Sequence, residues 1–386
     1  LAIQVQHVSA SMQGLLPVDR FGVRELEEIR LILRGGSVID WRRLSFRDRD
    51  EVDGFIRLCL FRPEHPADEA RLREILAEAV DYLRRVFRYR VTDVVAHPRE
   101  LHDLFLIASG VGEHRKWRRI ACIVLKVMHT IFHTDSREML FRTPISSSEF
   151  AALIDRRVQA VAIQLKEAGA PLVDFVGSVK TRESMITKLL AKRESVAAQI
   201  FDKVRYRIVT RTEADILPVL HFLTTHLFPF SFVVPAQSQN NLVSFHQLLE
   251  ETPSLAEHAA QLQSHLETEE VYDRRKGMNE FSGKDYRVIN FVADVPVRLD
   301  EHLCMIEGAR RIPRPEIAFA PVEFQLVDEE TARLNEEGAS SHDRYKRRQR
   351  VRVLRRLSKG LVVPKRNGAS GAKIAQNGDT VPDSEA

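Results

Sequence analysis

Hydrophobic residues are spaced differently in the two halves of the chain. Over residues 68–87, Leu72, Ile75, Leu76, Ala79, Leu83 and Val86 recur every three or four positions, which places one apolar stripe on a helix. Residues 117–133 are apolar on nearly every side, the pattern of a helix buried within a bundle. Ser146 with Glu149 offers a capping box for a helix running to Lys166, and Gly169 and Pro171 supply its stop. The first 170 residues therefore read as mostly helical, and no repeat of solenoid period is visible.

After Pro171 the texture changes. A short polar helix over 181–193 leads into a stretch in which Val204, Tyr206 and Ile208 alternate with Lys203, Arg205 and Arg207, the pattern of a half-buried strand. The pattern then predicts a helix over 215–227 and a short strand over 232–234. Residues 236–280, rich in Gln, Glu and His, read as an inserted helical or mobile segment. Two further strands are expected over 286–293 and 319–327. From Gly360 onward the chain holds too little apolar surface to order itself.

Composition narrows the class. Of 386 residues, 44% are hydrophobic and 29% charged, which suits a globular chain of two domains, or one large domain with extensions. Cys59, Cys122 and Cys304 are too few and too scattered for a disulfide framework or a four-thiolate zinc site. The longest near-apolar run, 120–132, contains Lys126 and is shorter than the roughly 20 residues that span a bilayer. The expectation is a soluble cytoplasmic protein without a membrane partner. The net charge of +4 conceals an asymmetry. Residues 344–359 carry nine Lys or Arg and no acid, and without them 49 basic residues face 54 acidic ones, a net of −5. Only this segment therefore supports a nucleic-acid reading.

Strand parity suggests where chemistry gathers. In residues 322–326, Glu323 and Gln325 take the face opposite the apolar residues, as Lys203, Arg205 and Arg207 do in the earlier strand, with Asp202 just ahead of it. If both strands lie in one sheet, one face collects two carboxylates, three cations and an amide. Clustered cations suit phosphates, and paired carboxylates suit a Mg²⁺ ion bridging to them. The same alternation is also what any half-exposed strand shows. Lys180, Ser184 and Lys188 stand four apart and form one polar row on a helix, able to run along a triphosphate.

These motifs, taken in order, resemble the synthetase domain of the RelA/SpoT alarmone synthetases. The Lys180, Ser184, Lys188 block is similar to the family's Lys, Ser and Lys, and Asp202 followed by Arg207 is similar to its strand with a Mg²⁺-binding Asp and a phosphate-binding Arg. Gly283-Lys284-Asp285-Tyr286 stands where the family has an Asn-Gly-Tyr segment whose Tyr stacks on guanine. Val322-Glu323-Phe324-Gln325 resembles the Glu-Val-Gln strand with its catalytic Glu, and His342, Tyr345 and Lys346 resemble the closing His and Tyr-Lys pair. The resemblance spans about 175–350. It departs from the family at Ser178, where Arg is usual. Val288-Ile289-Asn290 replaces Ser-Leu-His, and Val327 and Asp328 replace Arg and Thr. No His-Asp hydrolase signature precedes it.

Pattern, composition and resemblance together give the expectation of an α+β protein: a helical N-terminal domain (1–170), a mixed-sheet nucleotidyltransferase-like domain with flanking helices (171–350, with 236–280 inserted), and a basic helix end with a disordered tail (351–386). The resemblance implies pyrophosphate transfer from ATP to the 3′-hydroxyl of GDP or GTP. Asp202 and Glu323 would hold Mg²⁺ and act in catalysis. Lys180, Ser184, Lys188, Arg205, Arg207, Tyr286 and Gln325 would bind nucleotide. Two alternatives stay open: the same transfer to an RNA 3′ end, and a degenerate domain that senses nucleotide or binds RNA. The segment 344–359 would serve RNA or the ribosome, dock an acidic partner, or be a solvated helix end. His129 and His133, one turn apart near Asp135, have the spacing of a metal face but lack the Glu of an HExxH motif, so packed histidines are expected. Trp41 and Trp117 read as core or interface residues.

Overall fold

A computed structural model of the chain describes residues 14–36, 44–191, 203–255, 258, 286–303, 315–337 and 342–358. Helices α1 (Val23–Arg34), α2 (Arg49–Leu58), α3 (Pro66–Phe87), α4 (Asp93–Ala96), α5 (Leu101–Ser109), α6 (Arg118–Arg142) and α7 (Ser147–Glu167) come first. They are followed by β1 (Leu172–Val179), α8 (Arg182–Ala191), β2 (Val204–Thr210), α9 (Ile216–His226), β3 (Gln239–Asn240) and α10 (Phe245–Glu251). The chain continues through β4 (Ile289–Arg298), α11 (Asp300–Leu303), β5 (Ile317–Asp328), α12 (Glu329–Glu337) and α13 (His342–Leu357). The class is α+β. One mixed sheet has the order β1-β2-β5-β4-β3, in which β2 and β5 run parallel and the other pairs antiparallel.

The sequence rules that define the helices operate locally. At the start of α7 the Glu149 N–H donates to Ser146 Oγ (3.2 Å), and the Ser146 N–H donates to Glu149 Oε2 (2.9 Å). Gly169 then adopts φ 81° just past the helix, a conformation that costs glycine little. In α3 the stripe buries Ile75, Leu76, Ala79 and Leu83 as the spacing requires, but Val80 takes the place expected of Val86, which is 50% exposed near the helix end.

The centre of the sheet is fixed by one row of residues in register: Gly177, Tyr206, Phe324 and Phe291, on β1, β2, β5 and β4. The Tyr206 and Phe324 rings stack at 6.0 Å and the Phe291 and Phe324 rings at 5.5 Å, with Phe228 packed on both phenylalanines. Each such pair contributes about 0.5–1.5 kcal/mol beyond burial. The Tyr206 hydroxyl donates to Asp155 Oδ1 of α7 (2.8 Å), so α7 covers this face. Burial and that hydrogen bond raise the phenol's pKa. Gly177 leaves the space that Tyr206 fills: a Cβ there would sit 2.7 Å from Tyr206 Cε1.

The helical half and the sheet share a single continuous core running from Phe21 to Ala332. Two buried ionic clusters join them. Asp294 of β4 is fully buried. It accepts from Arg137 Nε (3.0 Å) and Nη2 (2.7 Å) of α6 and is paired with His133 Nε2 (2.7 Å). Asp68 of α3, also fully buried, accepts from Arg298 Nη1 (2.6 Å) and Nη2 (3.0 Å) of β4 and from the Arg62 N–H (2.8 Å). His129 packs near Phe232, and burial drives its pKa down to about 3, so the imidazole is neutral. The histidine pair is therefore packed, as expected. Asp135 pairs with Arg71 instead, and no metal-holding group of three is present among the described residues.

Several elements differ from the sequence expectation. The strand expected over 232–234 is a 3₁₀ turn, Phe230–Phe232, followed by one bridge between Val233 and Ala293, because Pro229 starts a turn there. Strand β1 falls where no strand was expected. As the sheet edge it exposes most of its residues and shows no alternation. Strand β4 begins at Ile289 and not at 286. Helix α13 runs through residue 350 without a break and packs on α8, where Val353 meets Ala191 and Arg356 bonds the Leu190 carbonyl. Residues 256–257 and 259–280 of the expected insertion, and the tail from 360, lie outside the described residues, as do Trp41 and Cys304. Trp117 packs at the margin of the core, and Cys59 and Cys122 are buried free thiols. No described helix is long and apolar enough to cross a membrane.

Two outcomes follow from these contacts. Gly177→Ala should lower stability by about 1–3 kcal/mol, because neither the buried Tyr206 ring nor the strand can yield without strain; chemical denaturation with an unchanged m-value checks this. Burial alone would raise the Asp68 pKa, but the hydrogen bonds from Arg298 and Arg62 outweigh it and hold the carboxyl below its ordinary 3.8. The linked stability is therefore present above that value and is lost as pH falls through the lowered folded one. Asp68→Asn should flatten the fall in unfolding free energy below about pH 4, measured as a pH series of denaturation midpoints. An unchanged slope would remove Asp68 from acid sensitivity.

Candidate functional site

With the aromatic row committed to one face, the period of two places charged and amide residues on the other. One register row there holds Ser178, Arg205, Glu323 and Val292; the next holds Val176, Arg207, Gln325, Asn290 and Gln239. The face is bounded at both ends. Four residues back along β5 from Glu323, Phe319 packs against Phe132 and His133 of α6. At the other end α12 follows β5 directly, and its Glu336 Oε1 accepts from Arg207 Nη1 (2.7 Å).

Glu323 is the centre of this face. It is only 8% exposed, and its Oε1 accepts from Gln325 Nε2 at 3.2 Å. Its Oε2 is buried without a hydrogen-bond partner among the described residues, as are Asn290 Oδ1 and Gln239 Nε2 in the neighbouring row. An unsatisfied buried polar atom costs about 1–3 kcal/mol, so a polar group that met these atoms would be favoured there. Tyr286 lies near the same residues, close enough to feel their charges. Burial is the main cause of its raised phenol pKa, with the Arg207 and Arg205 guanidiniums opposing and the Glu323 carboxylate adding to the shift.

The structure thus brings together Arg205, Arg207, Glu323, Gln325 and Tyr286. Lys180, Ser184 and Lys188 belong to a different element. Lys180 directly follows β1, its N–H donating to the Lys203 carbonyl (2.8 Å). Ser184 is exposed, and its N–H donates to the capping Thr181 Oγ1 (3.3 Å). The helix that carries Ser184 and Lys188 packs against α13, with Ala191 meeting Val353. Arg207 is engaged by Glu336, which sequence reading did not single out. Asp202 and the Gly283–Asp285 stretch lie outside the described residues. His342 and Tyr345 fall in α13, and Lys346 is exposed there.

Sequence reasoning missed Gln239, Asn241, Asn335 and Glu336. Asn and Gln carry no charge or spacing signal, and only the sheet register and the return of α12 put them beside the site. Asn290 was visible in the sequence as a departure from the family pattern.

A single carboxylate with a spare oxygen is a fitting donor for a hard cation such as Mg²⁺. The arginines next to it fit phosphate oxygens, and a half-buried tyrosine ring offers a stacking surface.

No model of a known protein family matches the sequence, and no curated protein matches it. Among solved structures the chain is similar to small alarmone synthetase 1 from Bacillus subtilis, at 15% identity over 55% of this chain and 91% of that one, with a TM-score of 0.28. A structure of the same synthetase bound to its product pppGpp matches at 17% identity over 54% and 88%, with a TM-score of 0.28. A GTP pyrophosphokinase family protein from Streptococcus pneumoniae matches at 15% identity over 56% and 90%, with a TM-score of 0.26. These structures are of the kind the sequence motifs resemble.

The Arg207–Glu336 pair generates a prediction. Exposed ion pairs are worth about 0.2–1 kcal/mol, so an incoming anion displaces Glu336 cheaply. Glu336→Gln should tighten binding of inorganic pyrophosphate by roughly two- to fivefold, and Arg207→Ala should weaken it about tenfold or more. Isothermal titration calorimetry reads both. Identical affinities in all three proteins would exclude Arg207 as an anion-binding group.

Proposed function

We propose that the protein transfers pyrophosphate from ATP to the 3′-hydroxyl of a guanine nucleotide, GDP or GTP. The observation that carries this reading is the buried Glu323 carboxylate, with one oxygen unpartnered among the described residues, set in register beside Arg205 and near Tyr286. Phosphoryl-type transfer needs little covalent chemistry from a protein. It needs cations where charge accumulates and a positioned acceptor for the hydroxyl proton.

In this reading Arg205 and Arg207 offset the charge of the transferred group, with Lys180, Ser184 and Lys188 along the donor phosphates. Tyr286 stacks on the acceptor base and orients its ribose toward Glu323. Glu323 receives the hydroxyl proton, and Gln325 holds the carboxylate through its Oε1. Mg²⁺ would be held by Glu323 together with Asp202, and bound there it would neutralise phosphate charge. The N-terminal helices and the sheet act as one body in this reading. A second reading, nucleotide binding without turnover, is favoured by the Arg207–Glu336 pair, which occupies one of the two arginines.

Purified protein incubated with ATP, Mg²⁺ and GDP or GTP should yield a more highly charged guanine nucleotide and AMP, separated by anion-exchange chromatography. Glu323→Gln keeps shape but removes the charge, and turnover should fall about 10²-fold or more with little change in stability. Wild-type binding of both nucleotides without any product would select the second reading. An active Glu323→Gln variant would exclude Glu323 from the chemistry.

A further inference from the structure

Tyr286 reaches the site from a stretch that is not strand. The sheet ladder of β4 starts at Ile289, so the backbone of residues 286–288 must find other partners. Two asparagine side chains supply them. Asn241, just after β3, donates from Nδ2 to the Tyr286 carbonyl (2.6 Å) and accepts at Oδ1 from the Val288 N–H (2.7 Å). Asn335 of α12 donates from Nδ2 to the Arg287 carbonyl (2.8 Å) and accepts at Oδ1 from the Arg287 N–H (3.1 Å).

Four consecutive backbone groups are thus held by two carboxamides. We propose that Asn241 and Asn335 are positioning residues that clamp the 286–288 backbone and thereby fix the Tyr286 ring beside the charged row of Glu323.

The chemistry of the clamp is specific. A carboxamide offers one donor and one acceptor in a plane, which matches the carbonyl and N–H of a peptide; a carboxylate of the same size offers only acceptors, and an alanine neither. Asn335 is 7% exposed on a helix whose other buried residues are Thr331 and Ala332, so its amide is turned inward for this purpose. The Arg287 side chain reinforces the staple, donating from Nη2 to the Leu242 carbonyl (3.0 Å). Because Asn335 and Glu336 are neighbours, α12 holds the Tyr286 segment with one residue and Arg207 with the next. A single helix therefore sets both a stacking surface and an anion site, and the ligand that needs both is a phosphorylated planar heterocycle.

This inference rests on the reading of Tyr286 as the acceptor-base platform, so its test has one arm that needs no substrate. Full-length protein carrying 3-fluorotyrosine at position 286 reports the ring by ¹⁹F NMR. In Asn335→Ala and Asn241→Ala the resonance should move toward that of a solvent-exposed tyrosine and its phenol should titrate at lower pH. Asn335→Asp, which keeps the acceptor and loses the donor, should fall between. Gly177→Ala, which loosens the sheet from its opposite face, is the control for general loss of stability. In turnover, the asparagine variants should raise KM for the acceptor about tenfold, the scale of one base–aromatic stack, while KM for ATP and kcat stay within about twofold.

An unchanged fluorine signal in all three asparagine variants, or the same shift in Gly177→Ala, would overturn the clamp. Displaced fluorine signals in a protein without transferase activity would retain the clamp and discard the proposed reaction. Displaced signals with the ATP KM raised equally would show that the segment serves the whole cleft and would overturn its assignment to the acceptor.

Discussion

The parallel pairing of β2 with β5 is the constraint on which the rest of the molecule depends. Tyr206 stacks on Phe324, and that stack decides which face of each strand is buried under α7. Once it forms, the period of two gives Arg205, Arg207, Glu323 and Gln325 no choice but the opposite face. A slip of one residue would drive these groups into an aromatic layer at a cost of several kcal/mol for each unpaired charge. Core packing and site assembly are therefore the same event. Even Gly177 serves it, since the edge strand can lie beside β2 only if nothing projects into the Tyr206 ring.

The charged face would be an ordinary wet sheet surface were it not closed at its ends. Helix α6 closes one end through Phe132 and His133 on Phe319, and holds Asp294 of β4 with two of its side chains. Helix α12 closes the other. Between them Glu323 becomes buried while one of its oxygens keeps no hydrogen-bond partner among the described residues. Such an arrangement is costly in isolation and is stable here because both flanking helices are anchored in the continuous core. The same anchoring makes the helical half part of the wall of the site. Losing either partner of the Asp68–Arg298 or Asp294–Arg137 pairs would leave a buried charge uncompensated, a change that typically costs 3–5 kcal/mol.

Charge is distributed with an asymmetry that composition hides. The basic helix α13 packs on α8, the element that carries Ser184 and Lys188. The body of the chain is otherwise mildly acidic.

The sequence by itself determined the local elements and which strand residues share the charged face of the candidate site. Helical periodicity, the Ser146–Glu149 box and the alternation around Tyr206 and Phe324 each act over a few residues, and each held in the structure. Glu323, Gln325, Arg205 and Arg207 were legible because strand parity is also local. What only the tertiary structure decided concerns groups that have no pattern of their own. Edge strand β1 lacks alternation because one side meets solvent, and Pro229 turned an apolar run into a 3₁₀ turn. Asn241, Asn335 and Glu336 reach the site through chain returns of about 45 to 130 residues, where hydrogen-bond pairing depends on register and helix docking. A neutral amide gains its meaning only from the backbone group that faces it, and no spacing along the chain encodes that meeting.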